Sequence, residues 1–391
     1  MEIKDYLKIQ SKVNYCLFLM VYFLLYPLAK LLYGRKKNWI ICERGSDAQD
    51  NGFVFFKYLT EKHPEIHSTY IISSKSVDYD KVKKFGRTVE WCSLKHFLMT
   101  IGCPVKISSH LFGYAPWTSM ATYFRRNKTH DKHIFLQHGI IKNLHEGLFG
   151  NVCKSLDLFV CGANPEYDFI VEQFKYNNEV PQYTGLARYD LLNNYDTDNQ
   201  VLIMPTWRAE LADLSDEEFS NTKFYLNWQS IIDSKEIINI CLKKNIVIKF
   251  YLHQSLQKFS SLFKGYDVVK IIRFGEENVQ KLLKESKLLI TDFSSVYFDF
   301  AYMSKPLLYF QFDEDTFYDR HYTKGYFDYR RDGFGLVCIE QSSLIKEAVN
   351  IINSGFILNK TYKERSERFF VFRDSSNCQR IFDLIEKLQN S

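Results

Sequence analysis

From Trp39 onward, short apolar runs alternate with stretches of helical periodicity, and the alternation is interrupted once before it restarts. Strands buried on both faces read as short continuous apolar runs, and the crossovers joining parallel strands are usually helical. The pattern therefore predicts parallel sheets covered by helices. In the first half, Trp39–Cys42, Thr69–Ile72, Val105–Ser108, Ile134–Gln137 and Leu158–Val160 read as strands. Phe53–Lys62, Val77–Lys84, Leu94–Ile101 and a segment opening at Pro165 read as helices, Pro being at home in a first turn. The polar stretch Asn193–Asn199 lacks periodicity and reads as a linker. Beyond it, strands are expected at Val201–Met204, Ile246–Leu252, Val268–Ile272, Leu288–Thr291 and Leu307–Phe312. Helices are expected at Trp228–Lys243, Asn278–Glu285 and Ser295–Met303, with three more closing the chain. The expected architecture is α/β, with two doubly wound Rossmann-like domains, residues 38–195 and 196–391, facing a cleft. Ligands of such sheets bind at the carboxyl ends of the strands.

Residues 1–37 stand apart. Cys16–Ala29 is strongly apolar, with Lys4, Lys8 and Lys12 before it and Lys30, Arg35, Lys36 and Lys37 after it. Its uninterrupted apolar core is shorter than the roughly 20 residues that span a bilayer. Flanking cations and edge tyrosines predict a helix lying in the cytoplasmic leaflet of a membrane. The net charge of +5 is too small and dispersed for a nucleic-acid footprint. Nine scattered cysteines without a C-x-x-C pair suit reduced thiols better than disulfides or zinc. His63 and His67 are separated by Pro64, and Asp313-Glu314-Asp315 is a short acidic match of a kind that recurs by chance. No metal or cofactor is expected.

Four apolar runs end in groups that can do chemistry. His138-Gly139 follows the first, where an imidazole can act as a base near neutral pH and a glycine lets the backbone turn. Thr206 and Arg208 follow Val201–Met204, and a guanidinium there can clamp phosphate oxygens. His253 follows Ile246–Leu252, and Asp292, Ser294 and Ser295 lie at a strand-to-helix turn suited to an anion. Together they imply anion binding with proton abstraction, as in phosphoryl or glycosyl transfer from a nucleotide-activated donor.

His138-Gly139, Pro205-Thr206-Trp207-Arg208 and the block Thr291–Ala301 resemble the CDP-glycerol glycerophosphotransferases that build teichoic acids and capsular polymers. The likeness continues through Lys305-Pro306, Tyr309–Asp313 and His321–Asp328, and includes Glu43-Arg44-Gly45, Asp50-Asn51-Gly52 and Thr184–Asp190. It implies a two-domain fold of the glycosyltransferase B type, with an acceptor-side domain followed by a donor-binding one. It also implies attachment to the cytoplasmic face of the membrane and transfer of glycerol phosphate from CDP-glycerol to a lipid-linked or polysaccharide acceptor, releasing CMP. In that reading His138 is the base and His253 a second catalytic histidine, while Arg208, Thr206, Asp292, Ser294, Ser295, Gly139 and Lys142 bind substrate. Gln254, Ala187 and Lys324 depart from the family pattern, which leaves CDP-ribitol or a nucleotide sugar as alternative donors. A non-catalytic membrane scaffold is the alternative of another class.

Overall fold

The computed structural model describes residues 3–193, 195–320 and 323–390. Asn194 of the linker, and His321 and Tyr322 of the family-like block, lie outside these residues. The chain forms two compact units. The first comprises residues up to Ile140, His145–Asp190 and Phe372–Ser391; the second comprises Ile141–Leu144 and Leu191–Val371. The closing helix Asn377–Asn390, assigned to residues 196–391 in the sequence reading, thus packs in the first unit. Its Phe382 stacks on His63 and packs at a tilt against Trp39, and Asp190 caps its start by accepting from the Asn377 and Cys378 amides.

In the first unit seven strands lie in the order β3-β2-β1-β4-β5-β6-β7. They are β1 (Asn38–Cys42), β2 (His67–Ile72), β3 (Arg87–Glu90), β4 (Val105–Ser108), β5 (Lys132–Phe135), β6 (Leu156–Cys161) and β7 (Pro181–Tyr183). All pair in parallel, as the buried apolar runs require. Strand order reverses at β1 and β4, so the crevice for a ligand opens beyond Cys42 and Ser108. β3 and β7 were not read from sequence because Arg87–Glu90 and Pro181–Tyr183 carry no continuous apolar run.

Four helices matter for this unit: α1 (Ile3–Tyr33), α2 (Asn51–Lys62), α3 (Leu94–Gly102) and α4 (Thr118–Arg126). Within α1, Val13–Tyr33 is 21 residues of mean hydropathy 1.8, long and apolar enough to cross a membrane by length and composition. That extends the apolar stretch Cys16–Ala29 read from the sequence at both ends, the helix remaining continuous through Pro27. One face is committed to protein: Phe18, Tyr22 and Ala29 are buried, and an added Cβ at Gly102 of α3 would lie 2.3 Å from the Ala29 carbonyl oxygen. Lys30 reaches Asp131 at 2.5 Å, and that carboxylate also holds the fully buried Lys106 at 2.8 Å. The other face exposes Val13, Leu17, Met20, Leu24, Leu28 and Leu31, which recur at helical spacing along one stripe.

The second unit has six parallel strands in the order β10-β9-β8-β11-β12-β13. They are β8 (Gln200–Ile203), β9 (Val247–Tyr251), β10 (Val269–Ile272), β11 (Leu288–Thr291), β12 (Leu307–Phe310) and β13 (Gly335–Cys338). Order reverses between β8 and β11, so the exits of these two strands flank the crevice. One expected helix, Trp228–Lys243, is two: Lys223–Ile232 and Lys235–Lys244. Ser234 divides them, because its hydroxyl accepts from the Ile237 amide and starts a new helix.

Candidate active site

The crevice of the first unit is built from the residues that leave β1, β4 and β5. Glu43, just past β1, is buried and accepts from the Gln49, Asp50 and Phe53 amides, which ties the start of α2 to the strand end. Burial first, then the Asp50 carboxylate, push Glu43 up to about 8. The Gly52 amide donates to the Ser109 hydroxyl at 2.7 Å, and a Cβ there would lie 2.9 Å from Glu43 Cγ, so α2 can approach this closely only through glycine.

β5 ends at Phe135, two residues earlier than expected, so His138 stands on the loop beyond it. The left-handed backbone of this exit falls on Gln137 (φ 61°), not on Gly139. Such a conformation is strained for a residue with a Cβ and has to be held in place. Asn51 holds it by donating to the Gln137 carbonyl at 2.8 Å, and Arg188 donates to the His138 carbonyl at 3.0 Å. Arg188 is itself fixed by Asp50 at 2.8 Å, and its amide donates to Asn51 Oδ1 at 2.9 Å.

The Ser109 backbone acts on the His138 imidazole in the direction that favours its charged form, the smallest of the influences on it. Part of the residue is open to solvent, while protein packs densely around the rest. That burial, followed by the nearby cations Arg188 and Arg44, lowers its pKa to about 4. His110 stacks on it, ring centres 4.9 Å apart and planes within 7°. His110 Nε2 accepts from Arg44 Nε at 2.8 Å, so its proton sits on Nδ1. The sequence reading gave no role to Arg44, His110 or Arg188, although all three occupy strand exits or contact them. For Arg44 and His110, their positions just after Cys42 and Ser108 were the available signal.

In the second unit the exits of β8, β11 and β12 share one buried polar frame. Arg208 is 2% exposed and uses all five N–H donors. Nε donates to Asp313 at 2.9 Å, and one terminal nitrogen donates to Asp292 at 2.8 Å and Asp313 at 3.0 Å. The other donates to the Thr206 and Trp207 carbonyls. Asp292 is fully buried and also accepts from the Thr206 and Phe293 amides. With its donors saturated, Arg208 holds the three strand exits in register. Asp292 likewise belongs to this frame. Asp313 is bound to Arg208, and its neighbour Glu314 pairs with Arg330 at 3.0 Å.

Lys142 is held in a similar way. It belongs to the short segment Ile141–Leu144 that packs in the second unit. Its ammonium is buried and donates to the Phe293 carbonyl at 2.7 Å, to the Tyr297 hydroxyl at 3.3 Å and to the Tyr329 hydroxyl. Three donors meet three acceptors, so it anchors the Asp292–Ser295 turn from behind. Burial, against the pull of Asp292, brings its pKa down to about 7.

Ser294 and Ser295 remain as the available groups of that turn. Both are half-buried, and neither hydroxyl has a hydrogen-bond partner among the described residues. Ser295 stands at the start of the helix Val296–Tyr302 without capping it. At seven residues the helix has a small dipole, so the hydroxyls and amides carry any anion binding. The Thr206 hydroxyl, across the β8–β11 crevice, is buried and unpaired. His253, past β9, accepts the Ser255 amide on Nδ1 at 3.2 Å, which puts its proton on Nε2 and makes that nitrogen a donor. Its ring stacks near Trp207, 5.9 Å between centres. The structure thus gathers Thr206, Arg208, His253, Asp292, Ser294, Ser295 and Lys142 in the second unit, with His138 and Gly139 in the first. Among the described residues, no group of three or more His, Cys, Asp or Glu side chains is placed to hold a metal.

Residues 25–387 match the family model described as CDP-Glycerol:Poly(glycerophosphate) glycerophosphotransferase. The minor teichoic acid biosynthesis protein GgaB of Bacillus subtilis (strain 168) is 31% identical over 372 residues, which is 92% of this chain and 41% of that protein. The teichoic acid poly(glycerol phosphate) polymerase of the same strain is 22% identical over 90% of this chain and 49% of its own length. The chain thus spans less than half of either relative. A solved structure of the wall teichoic acid polymerase TagF superposes with a TM-score of 0.69 at 18% identity, covering 100% of this chain and 99% of that one. This is a likeness of fold.

Proposed function

The chain belongs to the CDP-glycerol:poly(glycerophosphate) glycerophosphotransferase family, and from that membership we propose that it transfers glycerol phosphate from CDP-glycerol to a hydroxyl of a lipid-linked or polymeric acceptor in teichoic acid synthesis. The observation that carries this reading is His138: an imidazole open to solvent on the loop past β5, its backbone gripped by Asn51 and Arg188 and its ring neutral near pH 7.

In the proposed step the acceptor O–H gives its proton to His138 while its oxygen forms a bond to the glycerol-side phosphorus. The bond from that phosphorus to the bridging oxygen breaks, and CMP leaves with the electron pair. Phosphoryl transfer asks the protein chiefly for positioning and charge compensation. The hydroxyls of Ser294, Ser295 and Thr206 and the Nε2–H of His253 donate to phosphate oxygens, while Arg208 and Lys142 hold the turn that presents them.

The same reading places the protein on the cytoplasmic face of the membrane. One face of α1 is buried against the first unit, and the other is an apolar stripe flanked by cations. A helix held on one side by protein meets lipid on the opposite side only, so it lies in the interface plane.

The test is a donor panel. Purified protein with a teichoic-type acceptor should release CMP from CDP-glycerol. Release only from CDP-ribitol, or UDP from a UDP-sugar, assigns a different donor. Failure to bind any cytidine nucleotide points to the scaffold.

A further inference from the structure

Beside α1, the first unit carries a recess of ≈ 430 Å³ lined by Thr122, Arg125 and Arg126 of α4 and by Asn151, Val152 and Lys154 of the loop before β6. No acidic side chain lines it. Arg125 is held over the recess by donating to the Gly147 carbonyl at 2.8 Å, and the Lys154 amide donates to the Arg125 carbonyl at 2.9 Å, so loop and helix end are locked together. None of the three cations is ion-paired among the described residues. Three uncompensated positive charges around a concavity attract a phosphate.

The neighbouring surface says which kind. Tyr123, next in sequence to Thr122, packs its ring against Phe18, Tyr22 and Phe23 of α1, at 6.1, 4.9 and 6.4 Å. The recess therefore opens close to the helix whose outer face exposes Leu17, Leu24 and Leu31, and Val152 at its own rim is also exposed. A cationic recess adjoining an apolar stripe fits an amphiphile better than a soluble phosphate. We propose that this recess binds the phosphodiester headgroup of an anionic membrane lipid whose acyl chains lie against the outer face of α1. It would then fix how the first unit is docked on the bilayer. This rests on the membrane reading above.

The experiment uses the full chain and sedimentation with vesicles of phosphatidylcholine, with and without phosphatidylglycerol. Arg126 and Lys154 are exposed, so the double variant Arg126→Glu/Lys154→Glu keeps the fold. It should lose roughly tenfold or more of its affinity for the anionic vesicles, since each basic residue at such a surface contributes several-fold. The control Lys83→Glu/Lys84→Glu makes the same charge change elsewhere on the unit and should bind like the wild type. Equal binding by the recess variant and the wild type, or an equal loss in the control, overturns the proposal. So does displacement of the vesicles by millimolar glycerol 3-phosphate, which would assign the recess to a soluble phosphate. A wild type that binds neither vesicle fails the membrane reading itself, a separate result.

Discussion

His138→Ala should lower CMP release from CDP-glycerol by roughly 10²–10⁴-fold, the range for loss of a general base, with an unchanged melting temperature. The imidazole is at the surface of a loop held by backbone contacts. Asn51 and Arg188 grip the carbonyls of Gln137 and His138, so the loop does not depend on the ring. The pH profile follows from the lowered pKa. The neutral ring is the active form, so activity is present above the folded-state pKa and is lost as pH falls through it. With that pKa held below the ordinary 6.5 by burial, Arg188 and Arg44, the acid limb lies below pH 6.5 and the rate is flat from there to neutrality. A limb centred above pH 6.5, or near-wild-type turnover of the alanine variant, removes His138 from the chemistry.

Arg208→Ala should instead be a stability variant. Removing one member of a buried ion network leaves uncompensated charge and costs about 3–5 kcal/mol. Here Asp292 is fully buried and Asp313 mostly so. The second unit should melt lower by on the order of 10 °C. Ser294→Ala/Ser295→Ala should behave oppositely. A hydrogen bond to a charged group is worth about 1.5–3 kcal/mol, so the donor KM should rise at least about tenfold while melting is unchanged. If Arg208→Ala raises KM without lowering the melting temperature, the guanidinium is a substrate clamp after all.

This contrast marks where the sequence was legible. The strand exits at Thr206, His253 and Thr291-Asp292 could be read because an apolar run stops at a polar residue, which is a local event. The partners of those exits are not local. Asp292 lies 84 residues from Arg208 and Asp313 lies 105 away, so nothing near Arg208 announces that its donors are already taken. Lys142 shows the same limit: four residues after His138, it packs in the second unit. Ser234 was readable in principle, since a serine three residues before Ile237 is an N-cap pattern, but the apolar periodicity on either side masked the break. α1 shows a different limit. Both its faces are apolar, so only packing distinguishes the side buried on α3 from the side left open. The parallel sheets were the most legible feature, because strands covered on both faces leave an uninterrupted apolar record.

The bond that breaks is the centre of the account, and a label reports it directly. CDP-glycerol carrying labelled phosphorus on the glycerol side is incubated with the protein and a hydroxyl-bearing acceptor. Attack at phosphorus moves the label to the acceptor and releases unlabelled CMP in equal amount. Labelled CDP in solution, with an acceptor that gains glycerol but no label, would mean that carbon–oxygen cleavage occurs instead, and the proposed chemistry would be wrong.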